Sequence, residues 1–151
     1  MIKIICVGKI KEKFYADAAK EYVKRLSKYT KLEIVEIDDI NDKSIEVIKR
    51  KEKEKILSNI KEKDYVITLE ITGKKIDSVS FSKKLEEINL NYSNIVFVIG
   101  GSYGLDDCVS NRSNYKLSFS DLTFPHQLFR VMLLEQIYRC FKIKNNETYH
   151  K

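Results

Sequence analysis

The sequence predicts an α/β protein built on a mainly parallel sheet of five to six strands, with helices on both faces. Three observations carry this expectation. Short β-branched runs alternate with stretches of helical apolar periodicity along the whole chain, the order of a βαβ fold. The run Ile95–Ile99 is apolar at every position, as in a strand covered on both faces. The 151 residues are 43% hydrophobic and 33% charged, enough for one core and too apolar for a disordered chain, so a single domain over residues 1–151 is expected.

Each element has its own signal. Ile2–Val7 is a short β-branched first strand. Across residues 12–29 the positions Tyr15, Ala18, Ala19, Tyr22, Val23 and Leu26 recur at i, i+3 and i+4, one amphipathic helix. Leu32–Ile37 alternates as a second strand. A long helix is expected over residues 42–61, with Ile45, Ile48, Ile56 and Ile60 on one face. Its Lys49-Arg-Lys-Glu-Lys-Glu-Lys55 run interleaves both signs, which reads as a solvated helix face rather than a nucleic-acid patch. A third strand over 65–70 is closed by a turn at Thr72-Gly73-Lys74. A helix over 80–90 turns Phe81, Leu85 and Ile88 inward. After Ile95–Ile99 come a glycine loop over 100–104, a helix turn near 105–109 and a fifth strand over 115–120. Pro125 suits a first helical turn and opens a last helix to about Lys142, with Leu128, Val131, Leu134, Ile137, Tyr138 and Phe141 inward.

Composition closes off several classes. One proline and five glycines exclude collagen-like and linker chains. No apolar run approaches the ~20 residues of a membrane-spanning helix, and the start lacks a signal-peptide layout, so no membrane association is expected. Cys6, Cys108 and Cys140 are odd in number and far apart, without a Cys-x-x-Cys pair. Neither disulfides nor a metal site is expected, a reducing cytoplasm is the natural setting, and each cysteine reads as a small buried hydrophobe. The net charge of +6 leans toward a polyanionic partner. Residues 1–63 hold 17 basic and 12 acidic side chains, whereas residues 64–151 hold 11 and 10, so nearly all of the excess lies in the first half.

Two stretches carry candidate chemistry. In Phe97-Val-Ile-Gly-Gly-Ser-Tyr-Gly-Leu105 a strand runs into three glycines, which permit positive φ and close ligand approach at a carboxyl strand end. The spacing is neither a P-loop nor Gly-x-Gly-x-x-Gly, so a structural turn and a ligand cradle both fit. In Leu117-Ser-Phe-Ser-Asp-Leu-Thr-Phe-Pro-His126 a strand ends in hydroxyls before a proline-started helix. Its backbone could grip a polar ligand beside Leu122 and Phe124, or the hydroxyls could simply cap the connection. His126 reads as structural. Asp121 and Glu135 are possible bases, each equally explained by capping or pairing. An RNA-binding module without catalysis and a small nucleotide-binding enzyme acting on a metabolite are the alternative classes.

These two stretches, with Glu135-Gln-x-Tyr-Arg139 and the terminal Tyr149-His-Lys151, resemble the RlmH family, the 23S rRNA (pseudouridine-N3)-methyltransferases of the SPOUT superfamily. Val7-Gly-Lys9 and Leu69-Glu-x-x-Gly-Lys74 extend the resemblance over essentially the whole chain. The resemblance implies a C-terminal trefoil knot, which topological priors alone would exclude. It implies S-adenosyl-L-methionine as methyl donor, with Leu69, Gly100, Phe119, Ser120, Asp121, Leu122, Thr123 and Phe124 at the cofactor positions. It further implies a homodimer whose C-terminal tails complete the active sites, the assembled ribosome as substrate, and Arg139, Tyr149 and His150 as catalytic and RNA-contacting residues. Arg139 can stabilise negative charge or hold phosphate, although it could also simply pair with Glu135 at i−4; His150 offers the tail's one neutral base, and Tyr149 can stack on a base. The basic first half then reads as an RNA-docking region, with Lys49, Arg50 and Lys53 the residues to test.

Overall fold

The computed structural model describes residues 1–151. Strands and helices alternate as β1 (Ile2–Val7), α1 (Lys13–Leu26), β2 (Leu32–Ile37), α2 (Ile45–Ser58), β3 (Tyr65–Lys75), α3 (Ser78–Asn91), β4 (Ile95–Ile99), α4 (Asp107–Arg112), β5 (Tyr115–Ser118) and α5 (His126–Lys144). The five strands lie in the order β2-β1-β4-β3-β5, and every neighbouring pair is parallel. All carboxyl strand ends therefore share one edge.

Alternation along the strands feeds two cores. Ile2, Ile4, Phe97 and Leu117 pack with Leu26, Phe81, Leu85, Leu133, Leu134 and Ile137 under α1, α3 and α5. On the other face Ile5, Val7, Val96 and Val98 meet Ile56 of α2 and Val109 of α4. Covering both faces leaves all five residues of β4 buried, as its uninterrupted apolar run predicts. No helix is long and apolar enough to cross a membrane.

Several boundaries and faces move. Ser44 caps α2 by accepting from Val47 N, so Ile45 becomes the first helical residue and is 51% exposed rather than inward. Asp106 caps α4 by accepting from Cys108 N, which delays that helix to Asp107. Pro125 is the extended N-cap of α5, not its first helical residue. The buried stripe of α5 is Arg130, Leu133, Leu134, Ile137, Tyr138 and Cys140, while Leu128, Val131 and Phe141 are half-buried. Cys6 and Cys140 are buried, and burial pushes their thiols up to about 11 and about 12; Cys108 is exposed, against expectation.

The largest departure is at β3. Instead of turning back at Gly73, the strand continues to Lys75, with a register break in which Leu117 of β5 pairs with both Leu69 and Lys74. Residues between those two pairings arch past β5. A Cβ on Gly73 would lie 2.8 Å from the backbone of Lys116 and Leu117, so glycine is required there for close backbone passage, not for a turn. Gly73→Ala is expected to destabilise the fold by about 1–3 kcal/mol, read from urea unfolding, because backbone cannot yield as a side-chain tip can. A loss below about 0.5 kcal/mol would refute the crossing argument.

Candidate active site

A pocket of about 560 Å³ opens at the carboxyl edge, where β3, β4 and β5 end. β3 brings Leu69 and Glu70, the loop after β4 brings Gly100, Gly101 and Gly104, and the loop after β5 brings Phe119, Ser120, Leu122, Thr123 and Phe124. Gly104, at φ +78, closes its turn by donating from N to Gly101 O at 3.1 Å. In the third loop Leu122 N donates to Ser120 Oγ at 3.0 Å, and Ser118 Oγ donates to Ser120 O at 3.1 Å. Phe119 and Phe124 pack beside Phe129, with centroids 4.8 and 6.5 Å away. Glu70 is the one acidic residue in the lining, held by Thr68 Oγ1 (2.6 Å) and Ser110 Oγ (2.9 Å).

Seven of the eight expected cofactor positions line this pocket; Asp121 does not, and its exposed carboxylate instead pairs with Lys75. Behind the glycine loop stands Glu52, which the charge pattern had assigned to a solvated face but which is 6% exposed. Its carboxylate lies 3.1 Å from where a Cβ on Gly101 would sit. Burial, with Asp39 adding to it, raises the Glu52 carboxyl above its ordinary range.

Arg139 and Tyr149 converge on Glu135, and His150 meets Arg139. Arg139 donates to Glu135 Oε1 from Nε (3.0 Å) and Nη2 (2.6 Å), so the i−4 pairing is present. Tyr149 Oη donates to the same oxygen at 3.1 Å, and the guanidinium stands 4.8 Å over the Tyr149 ring. Arg139 Nη1 is 3.1 Å from His150 Nδ1. A guanidinium can only donate, so Nδ1 accepts and a neutral ring carries its proton on Nε2. Burial and Glu135 push the Tyr149 phenol up to about 12, which keeps it protonated around neutrality. The bond to Glu135 holds Arg139 more firmly protonated than usual.

Pocket and tail face different spaces. Glu135 and His150 line a second cavity of about 790 Å³, beside Tyr22, Ser78 and Val131. Leu117, Phe119 and Phe124 line both cavities and form the wall between them.

The start of α5 is anchored by residues whose roles were not legible in sequence. Gln127 Oε1 accepts from Lys11 N and Glu12 N at 2.8 and 3.1 Å. Arg130, 3% exposed, donates to Glu36 Oε2 (2.7 Å) and to Gly8 O (3.0 Å). Gly8, at φ +96, has His126 so close that a Cβ would lie 3.0 Å from its Cε1. Thus the Val7-Gly-Lys9 and Pro-His-Gln stretches meet and fix the end of the third loop. The sequence signal was Arg130 lying between the apolar residues Phe129 and Val131 of α5.

The chain is similar to known proteins. A family model described as "Predicted SPOUT methyltransferase" matches residues 1–150. The chain is 52% identical to the "Ribosomal RNA large subunit methyltransferase H" of Clostridium acetobutylicum and 54% identical to that of Clostridium botulinum, over 99% of each chain. A solved structure of a "probable methylase family protein" from Haemophilus influenzae shares the fold at TM-score 0.59 and 15% identity, covering 99% of this chain and 70% of that one. With a family model spanning the whole fold and full-length relatives above half identity, the chain belongs to the SPOUT methyltransferase family.

Proposed function

We propose that this protein is an S-adenosylmethionine-dependent methyltransferase that modifies N3 of a pseudouridine in 23S rRNA, on the assembled ribosome and as a homodimer. The observation that carries the reading is the convergence of Leu69, Gly100, Phe119, Ser120, Leu122, Thr123 and Phe124 on one pocket at the carboxyl edge. Its chemistry fits the donor: aromatic and aliphatic walls suit an adenine, a side-chain-free Gly100 admits close approach, and Glu70 suits a cationic ligand. Asp121 stands outside this lining, its side chain engaged with Lys75, and is assigned no contact with the cofactor.

The cofactor, when bound, supplies a methyl group activated on a sulfonium. The chain's task is to place the base and manage its N3 proton, because a neutral imide nitrogen is a poor nucleophile. Arg139, fixed on two sides by Glu135, stabilises the negative charge that develops on the imide. His150, exposed on the tail, accepts the N3 proton at Nδ1 once its ring turns from Arg139 Nη1 to the base. Tyr149, held by Glu135 and lying under the guanidinium, keeps Arg139 in place beside the base that its edge contacts.

Because the Phe119–Phe124 wall separates the tail from the pocket of its own chain, a second copy is read as supplying the tail to each pocket. The arch of residues 70–73 past β5, just ahead of α5, supports the knot implied by the family. Calorimetry with S-adenosylmethionine, followed by transfer of tritiated methyl to ribosomes and to free large subunits, tests the reading. Absence of cofactor binding would overturn it. Gly100→Ala offers a sharper check, since its Cβ would press Leu105, 2.9 Å away, into the pocket. The cofactor Kd should rise about tenfold, equivalent to about 1.4 kcal/mol, with the fold intact by circular dichroism.

A further inference from the structure

A separate cleft of about 510 Å³ lies where the C-terminal ends of α1 and α5 converge. Lys24, Arg25 and Lys28 enter it from one side and Lys142 from the other, around Tyr29 and Tyr138. Arg25 stands 5.5 Å over the Tyr22 ring and 5.6 Å over Tyr138. Lys142 stands 5.6 Å over Tyr138 and 5.9 Å over Tyr29. The two acids present are already engaged. Glu21 pairs with Arg25 at 3.1 Å, and Glu147 accepts from Lys142 at 2.6 Å and from Tyr29 Oη at 2.9 Å. Lys24 and Lys28 are exposed, and neither forms an ion pair.

The cleft is continuous with the tail. Tyr138 packs edge-on against Tyr149, with centroids 5.0 Å apart, and Glu147 belongs to the segment that leads into Tyr149. The run from Lys49 to Lys55 is on α2, whose Ile56 packs in the core on the opposite face of the sheet from α5. The basic cluster adjoining Arg139 and His150 is therefore this one.

We propose that the cleft docks the RNA strand that flanks the target base, with Lys24 and Lys28 each contacting a backbone phosphate. The inference rests on the proposed rRNA activity and adds to it the surface that holds the substrate. Charge complementarity carries it. Two cations outside the ion pairs project from a scaffold whose other cations, Arg25 and Lys142, are held over aromatic rings, so little side-chain ordering is required except at the two lysines. A strand seated there passes Tyr138 directly into the tail. Phosphate contacts of this kind set register and affinity without reading sequence.

The test is the double variant Lys24→Gln/Lys28→Gln, compared with Lys49→Gln/Lys53→Gln on α2. Co-sedimentation with bacterial ribosomes is measured across a salt series, alongside methyl-transfer kinetics and cofactor calorimetry. The cleft variant should weaken ribosome binding and raise the ribosome KM about tenfold, and reduce the slope of log affinity against log salt by about 1.4–1.8 for two lost phosphate contacts. Its kcat at saturating ribosomes and its cofactor Kd should be unchanged. An unchanged KM and slope, a fall in kcat alone, or an equal loss from the α2 variant would overturn the inference. If the wild-type protein sediments with ribosomes but transfers no methyl, the proposed activity fails. The docking surface is then judged from sedimentation alone.

Discussion

Deletion of residues 149–151 is expected to lower kcat for methyl transfer by at least about 10²-fold, the scale seen when a preorganised charge-stabilising group is removed. The deletion takes away His150, which meets Arg139 Nη1 at 3.1 Å, and the Tyr149 ring beneath the guanidinium. Glu135 then holds Arg139 alone through the helical pairing, with its third side unconstrained. The cofactor Kd should change by less than about twofold, because none of the three residues is among those assigned to the cofactor. Single-turnover transfer and calorimetry on the same preparation separate the two effects. Unchanged turnover would remove the tail from the mechanism, whereas a parallel loss of cofactor binding would make it a structural clamp. Tyr149→Phe gives a finer check: it deletes the hydroxyl that donates to Glu135 at 3.1 Å and leaves a phenyl ring for the guanidinium.

Arg130→Ala is expected to cost about 3 kcal/mol of stability, the low end for breaking a buried ion pair, because the Glu36 side chain left behind is 36% exposed and can recover solvent. The same substitution strands the Gly8 carbonyl, which accepts from Arg130 Nη2 at 3.0 Å. Guanidinium denaturation measures the loss, and a value under about 1 kcal/mol would contradict the anchoring role. The double variant Arg130→Met/Glu36→Leu removes both charges and should regain much of the deficit. Cofactor affinity should fall with Arg130→Ala, since Arg130 and His126 fix the start of α5 at Gly8, where the loop over residues 119–124 ends.

Features that depend on neighbouring residues were legible in the sequence. The order of strands and helices, the doubly covered β4 and the helices on both faces follow from periodicities of two and 3.6, which a residue's immediate neighbours define. So does the glycine loop, because a strand that ends in glycines must open onto the carboxyl edge of a parallel sheet. The motif resemblance then grouped Leu69, Gly100 and the 119–124 stretch, residues that, apart from Asp121, the fold brings to one pocket.

Where periodicity misled, a long-range partner is the cause. Arg130 is buried in the core face of α5 because Glu36, 94 residues away, and the Gly8 carbonyl satisfy it there. Glu52 looked solvated within its charge run until the loop at Gly101 covered it. Gly73 looked like a turn, but the requirement comes from the backbone of residues 116 and 117.

The sequence by itself determined the layered α/β architecture, the edge where a ligand pocket would open and the family to which the chain belongs. Tertiary structure alone decided that Asp121 faces outward to Lys75, that Glu135 holds Arg139 and Tyr149 while Arg139 meets His150, and that a wall of Leu117, Phe119 and Phe124 divides pocket from tail. It also brought Lys24, Arg25, Lys28 and Lys142 together at the C-terminal ends of α1 and α5. The reason is physical: patterning encodes which face of an element is apolar, whereas a buried charge, a backbone crossing or a shared wall depends on segments that meet only after the chain has folded.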